Sequence, residues 1–464
     1  MSIKSGIPTE LGTENISKLL RQYAIPAIIA MTASSLYNMV DSIFIGHGVG
    51  PLAIAGLALT FPLMNLGAAF GSLVGVGSST SISVLLGQKN YDMARNVLGN
   101  VITLNTVIGI LYMVIVYAFL DPILYFFGAS AQTLPYAREY MEIILLGNVV
   151  THMYLGLNAV QRASGFPKQA MHATIFTVII NTILDPIFIY TFDMGIRGAA
   201  IATVIAQMLA LIWLLKMFSN KGNVVHFTKG TYKLVPRIVK DILSIGAAPF
   251  SMNMAACLVV IVINQGLQRH GGDLAIGAYG IINRIAFIFI MIVMGLNQGM
   301  QPIAGYNFGA RKFDRVHRVL INTIVCATCI TTLGFLIAEL FPNAFIKIFT
   351  TDEKLLAISK DGIRIIFAFF PIVGFQMVTG NFFQSVGMAS KAIFLSLSRQ
   401  LIFLLPCLLI LPSLWGVNGV WWSMPISDAM SSIVAAFLLM NQIKKFKKEE
   451  KMKLVDQHVY FYHC

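Results

Sequence analysis

Asn181 and Asp185 lie four residues apart in the otherwise apolar stretch VIINTILDPIFIY. On a helix they share one face, a turn apart. Tyr37 and Asp41 repeat that spacing in SSLYNMVDSIFIG. A carboxylate at the centre of an apolar run costs on the order of 3 kcal/mol to place in a bilayer, so such residues face an interior cavity and act there. Two of them in one poorly hydrated pocket cannot both stay ionised cheaply. A shared proton removes that cost. So does a sodium ion coordinated by carboxylate, amide and hydroxyl oxygens, and Asp41, Asn181, Asp185 and Thr203 supply that donor set. The chemistry these residues suggest is reversible binding of Na⁺ or H⁺ inside a membrane, with the helix packing changing as the cation comes and goes.

The elements that must position them are membrane helices. The chain has 464 residues and is 57% hydrophobic but only 11% charged, where a soluble domain carries roughly a quarter charged residues. Its apolar runs are each long enough to cross a bilayer as a helix. The expectation is an all-α membrane protein with twelve spans, at roughly 20–46, 52–84, 96–120, 137–162, 170–190, 198–218, 240–265, 274–305, 317–340, 361–385, 393–411 and 418–440. Counting 1.5 Å per residue, Asp41 lies about 30 Å above the start of span 1 and Asp185 about 22 Å above the start of span 5. Thr203, on the descending span 6, and Tyr140, on the descending span 4, reach a similar level. Tyr37 and Tyr140 thus join the polar set. Pro26 in span 1 and Pro186 in span 5 interrupt the backbone ladder, where a bend would couple the site to the helices around it.

The net charge of +13 reports topology rather than nucleic acid. With these spans, the side holding both termini carries 25 Lys and Arg against seven on the other. Basic loops favour the cytoplasm, so both ends are expected there. Residues 1–15 are polar and lack the short apolar core of a cleavable signal. The basic tail, residues 441–464, reads as a stop signal after the last span, and its closing DQHVYFYHC has no assignable role. Five cysteines are scattered. Cys326 and Cys329 form a CxxC without a second pair, which favours packing over metal or redox chemistry.

An internal repeat divides the chain. Shifted by 222 residues, positions 52–100 lie on 274–322 without a gap, pairing Gly77 with Gly299, Gly87 with Gly309, Asp92 with Asp314 and Asn100 with Asn322. A shift of 223 pairs Pro26 with Pro249 and Asn158 with Asn381. Six spans per half, an even number, make the repeats parallel, related by an axis along the membrane normal. The predicted organisation is an N-terminal lobe at 1–218, a polar linker at 219–239, a C-terminal lobe at 240–440 and the tail. Two similar bundles flanking a cleft suit alternating access. Of the remaining ionisable residues within spans, Arg284 and Asp428 are candidates for a substrate path, with Ser427, Ser431 and Ser432 beside the acid; Glu339 sits near a span end.

The ordered set KLLRQYAIPAIIAMTASSLYNMVDSIFIG, GQKNYDMARNV, LNAVQRASGFPKQAM, NTILDPIFI and NFFQSVGMASKA resembles the multidrug and toxic compound extrusion (MATE) family, and WWSMPISD resembles its MepA-like bacterial branch. The resemblance runs from about residue 12 to 440. It implies an inner-membrane efflux antiporter of two six-helix lobes that exports amphipathic, often cationic, drugs in exchange for Na⁺ or H⁺, with no cofactor and acting as a monomer among membrane lipids. Carried over by position, the family's cation site falls on Asp41, Asn181, Asp185 and Thr203, its wider polar network on Tyr37, Tyr140 and Asn158, and its bending proline on Pro26. A flippase for lipid-linked oligosaccharides shares the architecture but predicts a large cationic cavity, where only one or two buried basic residues are visible. A membrane enzyme would need clustered His, Asp or nucleophilic groups, and no HExxH or comparable set exists. An ion channel would show a filter or a pore-lining ring of charges, and neither is found.

Overall fold

The computed structural model describes residues 8–350 and 352–461. Residues 1–7 and 462–464, which hold the start of the polar lead and the end of DQHVYFYHC, lie outside the described residues. The chain is helical throughout. Its spans are α1 (Ile16–Gly48), α2 (Pro51–Gly87), α3 (Tyr91–Ala118), α4 (Leu134–Leu146 and Asn148–Ala163, bent by 56°), α5 (Pro167–Thr191) and α6 (Gly195–Phe218). The second set is α7 (Pro236–Gly272), α8 (Leu274–Gly309), α9 (Phe313–Leu340), α10 (Glu353–Phe367 and Phe370–Ser385, bent by 51°), α11 (Ala389–Trp415) and α12 (Val417–Phe461). Counting each bent pair as one span gives the twelve that the apolar runs predict. Span 10 begins eight residues earlier than expected, because Asp352 caps it by accepting from the Leu355 amide at 2.8 Å and the amphipathic first half carries Lys354, Lys360 and Arg364.

The two halves repeat one plan, including its irregularities. A short helix follows the third span in each, Leu120–Phe126 and Pro342–Ile346. The fourth span is broken in each. In α4 the break is Gly147, and Asn148 donates its side-chain amide to the Gly109 carbonyl at 3.2 Å. In α10 it falls at Ala368 and Phe369, just before Pro371, which has no amide hydrogen to continue the ladder. The fifth span widens to a π-helix in each, at Ile187–Thr191 after Pro186 and at Ser398–Leu404 ahead of Pro406. Proline removes a donor, and a π turn is one way a helix absorbs the loss.

The lobes pack on each other where the repeated glycines lie. A side chain at Gly87 would strike the Tyr306 carbonyl on α8, and one at its counterpart Gly309 would strike the Val84 carbonyl on α2. Gly77 lies against Ile242 of α7, and its counterpart Gly299 against Ala24 of α1. Only glycine lets two helix backbones approach this closely. Gln301 adds bonds across the interface to Ser79 (2.9 Å) and Thr80 (2.8 Å), and Phe70 meets Phe250 with ring centroids 4.8 Å apart. These contacts occupy the half of the molecule that carries the basic loops. At that same end the approach to each lobe is strapped down. Asn100 accepts from the Val235 amide (2.9 Å) and donates to the Thr231 and Lys233 carbonyls, holding the chain that leads into α7. Its counterpart Asn322 donates to Ser17 Oγ (3.2 Å) at the start of α1. Arg315 and Lys312 grip the carbonyls of Glu14 (2.6 Å) and Gly12 (2.7 Å).

Candidate functional site

α1, α5 and α6 bring the anticipated residues together inside the first lobe. Asp185 is fully buried, and Asp41, Asn181 and Thr203 are each no more than 5% exposed. The two carboxyls are near enough to hydrogen-bond each other when one carries a proton. The Asn181 amide fits two ways round. With Nδ2 donating to Thr203 Oγ1 at 3.2 Å its oxygen faces Asp185, which suits a protonated acid or a bound cation. Turned over, Nδ2 donates to Asp185 Oδ2 at 2.9 Å and the oxygen accepts from Thr203 Oγ1 (3.2 Å) and the Thr203 amide (3.1 Å), which suits the ionised acid. Tyr37 Oη lies 3.1 Å from Thr203 Oγ1, and Tyr140 is buried in the same lobe. Asp41 Oδ1 is buried without a partner. Buried polar atoms are nearly always satisfied, so an orphaned carboxylate oxygen beside a second carboxyl marks a place for a cation or proton. Asp185 precedes Pro186, and Pro26 is buried on α1 between Ala24 and Ile28, the residues that abut Gly299 and Gly295 of α8.

Asn158 is not brought to this cluster. Its amide donates to the Ala170 carbonyl (2.9 Å) and accepts from Arg162 (3.3 Å). Ala170 is eleven residues before Asn181 on α5, about 16 Å away by helical rise. The residue ties α4 to the start of α5 in a separate network with Tyr154 and Thr174.

In the second lobe, Arg284 is exposed and makes no ion pair among the described residues. Asp428 is paired instead with Arg399 on α11, whose Nε donates to Oδ1 at 2.7 Å. Arg399 is absent from the set of in-span charges drawn from the sequence, although it lies inside the span expected at 393–411. The signal was available: it lies ten residues into an apolar run. Glu339 meets Arg364 at 3.7 Å, as its place near a span end suggests. A further polar group went unremarked. His152 on α4 is fully buried with both ring nitrogens unpartnered, as is the amide of buried Asn105 on α3.

The MatE family model matches the chain twice, over residues 26–187 and 247–409. The chain is 29% identical over 429 residues to the multidrug export protein MepA of Staphylococcus haemolyticus (strain JCSC1435), covering 92% of this chain and 93% of that one. It is 27% identical over 431 residues to MepA of Staphylococcus aureus (strain NCTC 8325 / PS 47), covering 91% and 93%. Among solved structures, the outward-facing conformation of a multidrug resistance MATE family transporter of the MOP superfamily superposes with a TM-score of 0.89 at 24% identity, covering 97% of this chain and all of that one. A MATE crystal structure in the bent conformation superposes with a TM-score of 0.91, also at 24% identity, over 96% and 99% of the two chains. Two matched repeats in one chain, laid out as two six-helix lobes across a membrane, place it in the MatE family.

Proposed function

We propose that the protein is a multidrug efflux antiporter of a bacterial inner membrane. It exports amphipathic, often cationic, organic compounds as a monomer and draws its energy from an inward-moving cation. The observation that carries this reading is the burial of Asp41 and Asp185 against each other, with no basic side chain paired to either among the described residues. Such a pair is stable only with a cation on it, and a cation that must arrive and leave is a means of coupling. The names of the relatives support the cargo class. The bias of Lys and Arg toward the side of the termini supports a cytoplasmic placement of both ends. The lobes meet on that side, so this state opens away from the cytoplasm.

The Asn181 amide serves either ion: with Nδ2 on Thr203 its oxygen faces Asp185, and turned over it donates to Asp185 Oδ2. H⁺ is taken as the coupling ion because a proton shared between the two carboxyls needs no third ligand. Protonation from outside removes the pair's charge and frees α1 to repack about Pro26, at its contact with α8. Release toward the cytoplasm restores the charge. One elementary charge crossing ~100 mV is worth about 2.3 kcal/mol, which sustains a gradient of roughly 50-fold in a cargo without net charge; for a monovalent cationic cargo the exchange is electroneutral and the pH difference drives it.

Dye efflux from everted vesicles under an imposed pH gradient or an imposed Na⁺ gradient tests this directly. Wild type should move dye with the pH gradient, and Asp41→Asn and Asp185→Asn should not. Full-rate transport in both variants would overturn the site. A Na⁺ gradient acting alone would overturn the choice of ion.

A further inference from the structure

The Arg399–Asp428 pair sits deep in the second lobe. Arg399 is ten residues from the start of α11, about 15 Å in, and Asp428 is eleven from the opposite end of α12, about 16 Å in. The repeat sets this position against a familiar one. The two family matches end at residues 187 and 409, an offset of 222 that sets Arg399 on Thr177 of α5; beyond them GIRGAA at Gly195 lies on GVNGVW at Gly416, an offset of 221 that sets Asp428 on Gln207 of α6. Each counterpart is one helical turn from a member of the first lobe's cluster, Asn181 and Thr203, toward the basic side in both cases. The second lobe therefore carries a charged site at nearly the same address, with different chemistry.

The pair is not closed on itself. Arg399 reaches Asp428 through Nε alone, and neither Nη has a partner among the described residues. A guanidinium has five N–H donors in a planar fork, so four remain free. The Arg399 side chain is 30% exposed against 9% for Asp428. At this depth a partly exposed guanidinium edge is stable facing water and not acyl chains, and we infer that the water is that of the cleft between the lobes. A π-helix at Ser398–Leu404 displaces the backbone at this residue, a distortion common at functional sites. Ser427 donates to the Arg399 carbonyl (3.4 Å), securing α12 to α11. One turn from Asp428, Ser432 buries a hydroxyl that has no partner.

We propose that Arg399, oriented by Asp428, is a docking site in the second lobe for the carboxylate of a zwitterionic amphipathic cargo. Asp428 fixes the Nε edge, and the two Nη groups address the carboxylate end-on, as arginine forks do. The pair is neutral overall, so a bound carboxylate leaves the acid pair of the first lobe free for its cation. A phospholipid phosphate is a poor occupant, since phosphates lie at the membrane surface and this site lies near its middle.

This inference rests on the efflux reading for its biological meaning, but its test does not use transport. Rhodamine 110 carries a free carboxylate, and rhodamine 123 is its methyl ester. Binding of each to the purified full-length protein is measured by fluorescence anisotropy for wild type, for Arg399→Lys, and for the double variant Arg399→Gln with Asp428→Asn. The double variant leaves no buried charge unpaired. Its affinity for rhodamine 110 should fall at least tenfold while that for rhodamine 123 stays within about twofold. Arg399→Lys, which keeps the charge and loses the fork, should fall in between. Equal loss for the two dyes, or no loss for rhodamine 110, overturns the proposal. If the double variant does not fold, an unchanged ratio of the two dyes in Arg399→Lys overturns it. Failure of the efflux reading would appear separately, as absent gradient-driven dye movement in vesicles.

Discussion

In the first lobe Asp41 and Asp185 lie together without a basic partner among the described residues, and one oxygen of Asp41 has no partner among them. In the second lobe Asp428 is held by Arg399 at 2.7 Å. The helices that carry the two sites are repeats of each other, so the difference lies in side chains and not in scaffold. An acid pair leaves a debt of charge that only an ion from outside can settle. An acid and a base settle it between themselves, and the site is then indifferent to the coupling ion. On the function proposed above, one lobe would then respond to a gradient while the other presents a fixed charged pair.

The sharpest way to break that contrast is to remove the acids in both lobes and read coupling and stability side by side. Asp41→Asn combined with Asp185→Asn should lower gradient-driven dye export on the order of 100-fold. Its thermal unfolding should be unchanged or raised, because the substitution removes buried charge that lacks a partner. A variant that unfolds early would mean the acids were holding the lobe together.

Asp428→Asn should do the reverse. It leaves the Arg399 guanidinium without its acid, and because Arg399 is 30% exposed the cost lies between the ~1 kcal/mol of an exposed pair and the ~3–5 kcal/mol of a buried one. The expected readout is a marked fall in unfolding temperature, with the surviving protein still responding to a pH gradient. Adding Arg399→Gln should recover most of the loss. If Asp428→Asn instead abolishes coupling in folded protein, the two lobes share the cation task and the contrast fails.

The comparison also shows what sequence can and cannot carry. The acid pair was legible because carboxylates in apolar helices are costly enough to stand out, and helical rise then put Asp41, Asp185 and Thr203 in the same outer half of the membrane. The glycine and asparagine pairs of the repeat were legible as matches, but their purpose was not. Gly87 and Gly309 matter because each lies against the other lobe's backbone, and a contact between segments 222 residues apart leaves no local trace. Arg399 was missed because a hydropathy window tolerates one arginine among many leucines. Asn158 was assigned to the cation network by position in a motif, and its partners show it bound to a different one. The breaks at Gly147 and before Pro371 gave no warning, since apolar character continues across both.

The interlobe contact offers a smaller test of the same two-fold logic. Gly87→Val should cost about 1–3 kcal/mol of overpacking in the state seen here, pushing the lobes apart at the basic end. Its counterpart Gly309→Val should act alike. A cysteine placed at Ser83, beside that contact and fully buried, should label faster with a maleimide in either variant. Acceleration in one variant alone would show that the repeats do not share the closure equally.

The smallest expected effect bounds the cation site from below. Asn158 joins α4 to α5 by its bonds to Ala170 and Arg162, on the basic side of the acid pair. Asn158→Ala leaves the Ala170 carbonyl without its side-chain partner and takes from Arg162 an acceptor, a loss of about 1–2 kcal/mol. The unfolding temperature should fall by a few degrees, consistent with a protein of this size. The pH dependence of dye export should keep its wild-type midpoint, because no bond connects this network to Asp41 or Asp185. A shifted midpoint with unchanged stability would extend the proton site a further 16 Å or so down α5. The acid pair would then be the outer end of a path through the first lobe, and the second lobe, with its neutral pair at the matching depth, would have nothing to correspond to it.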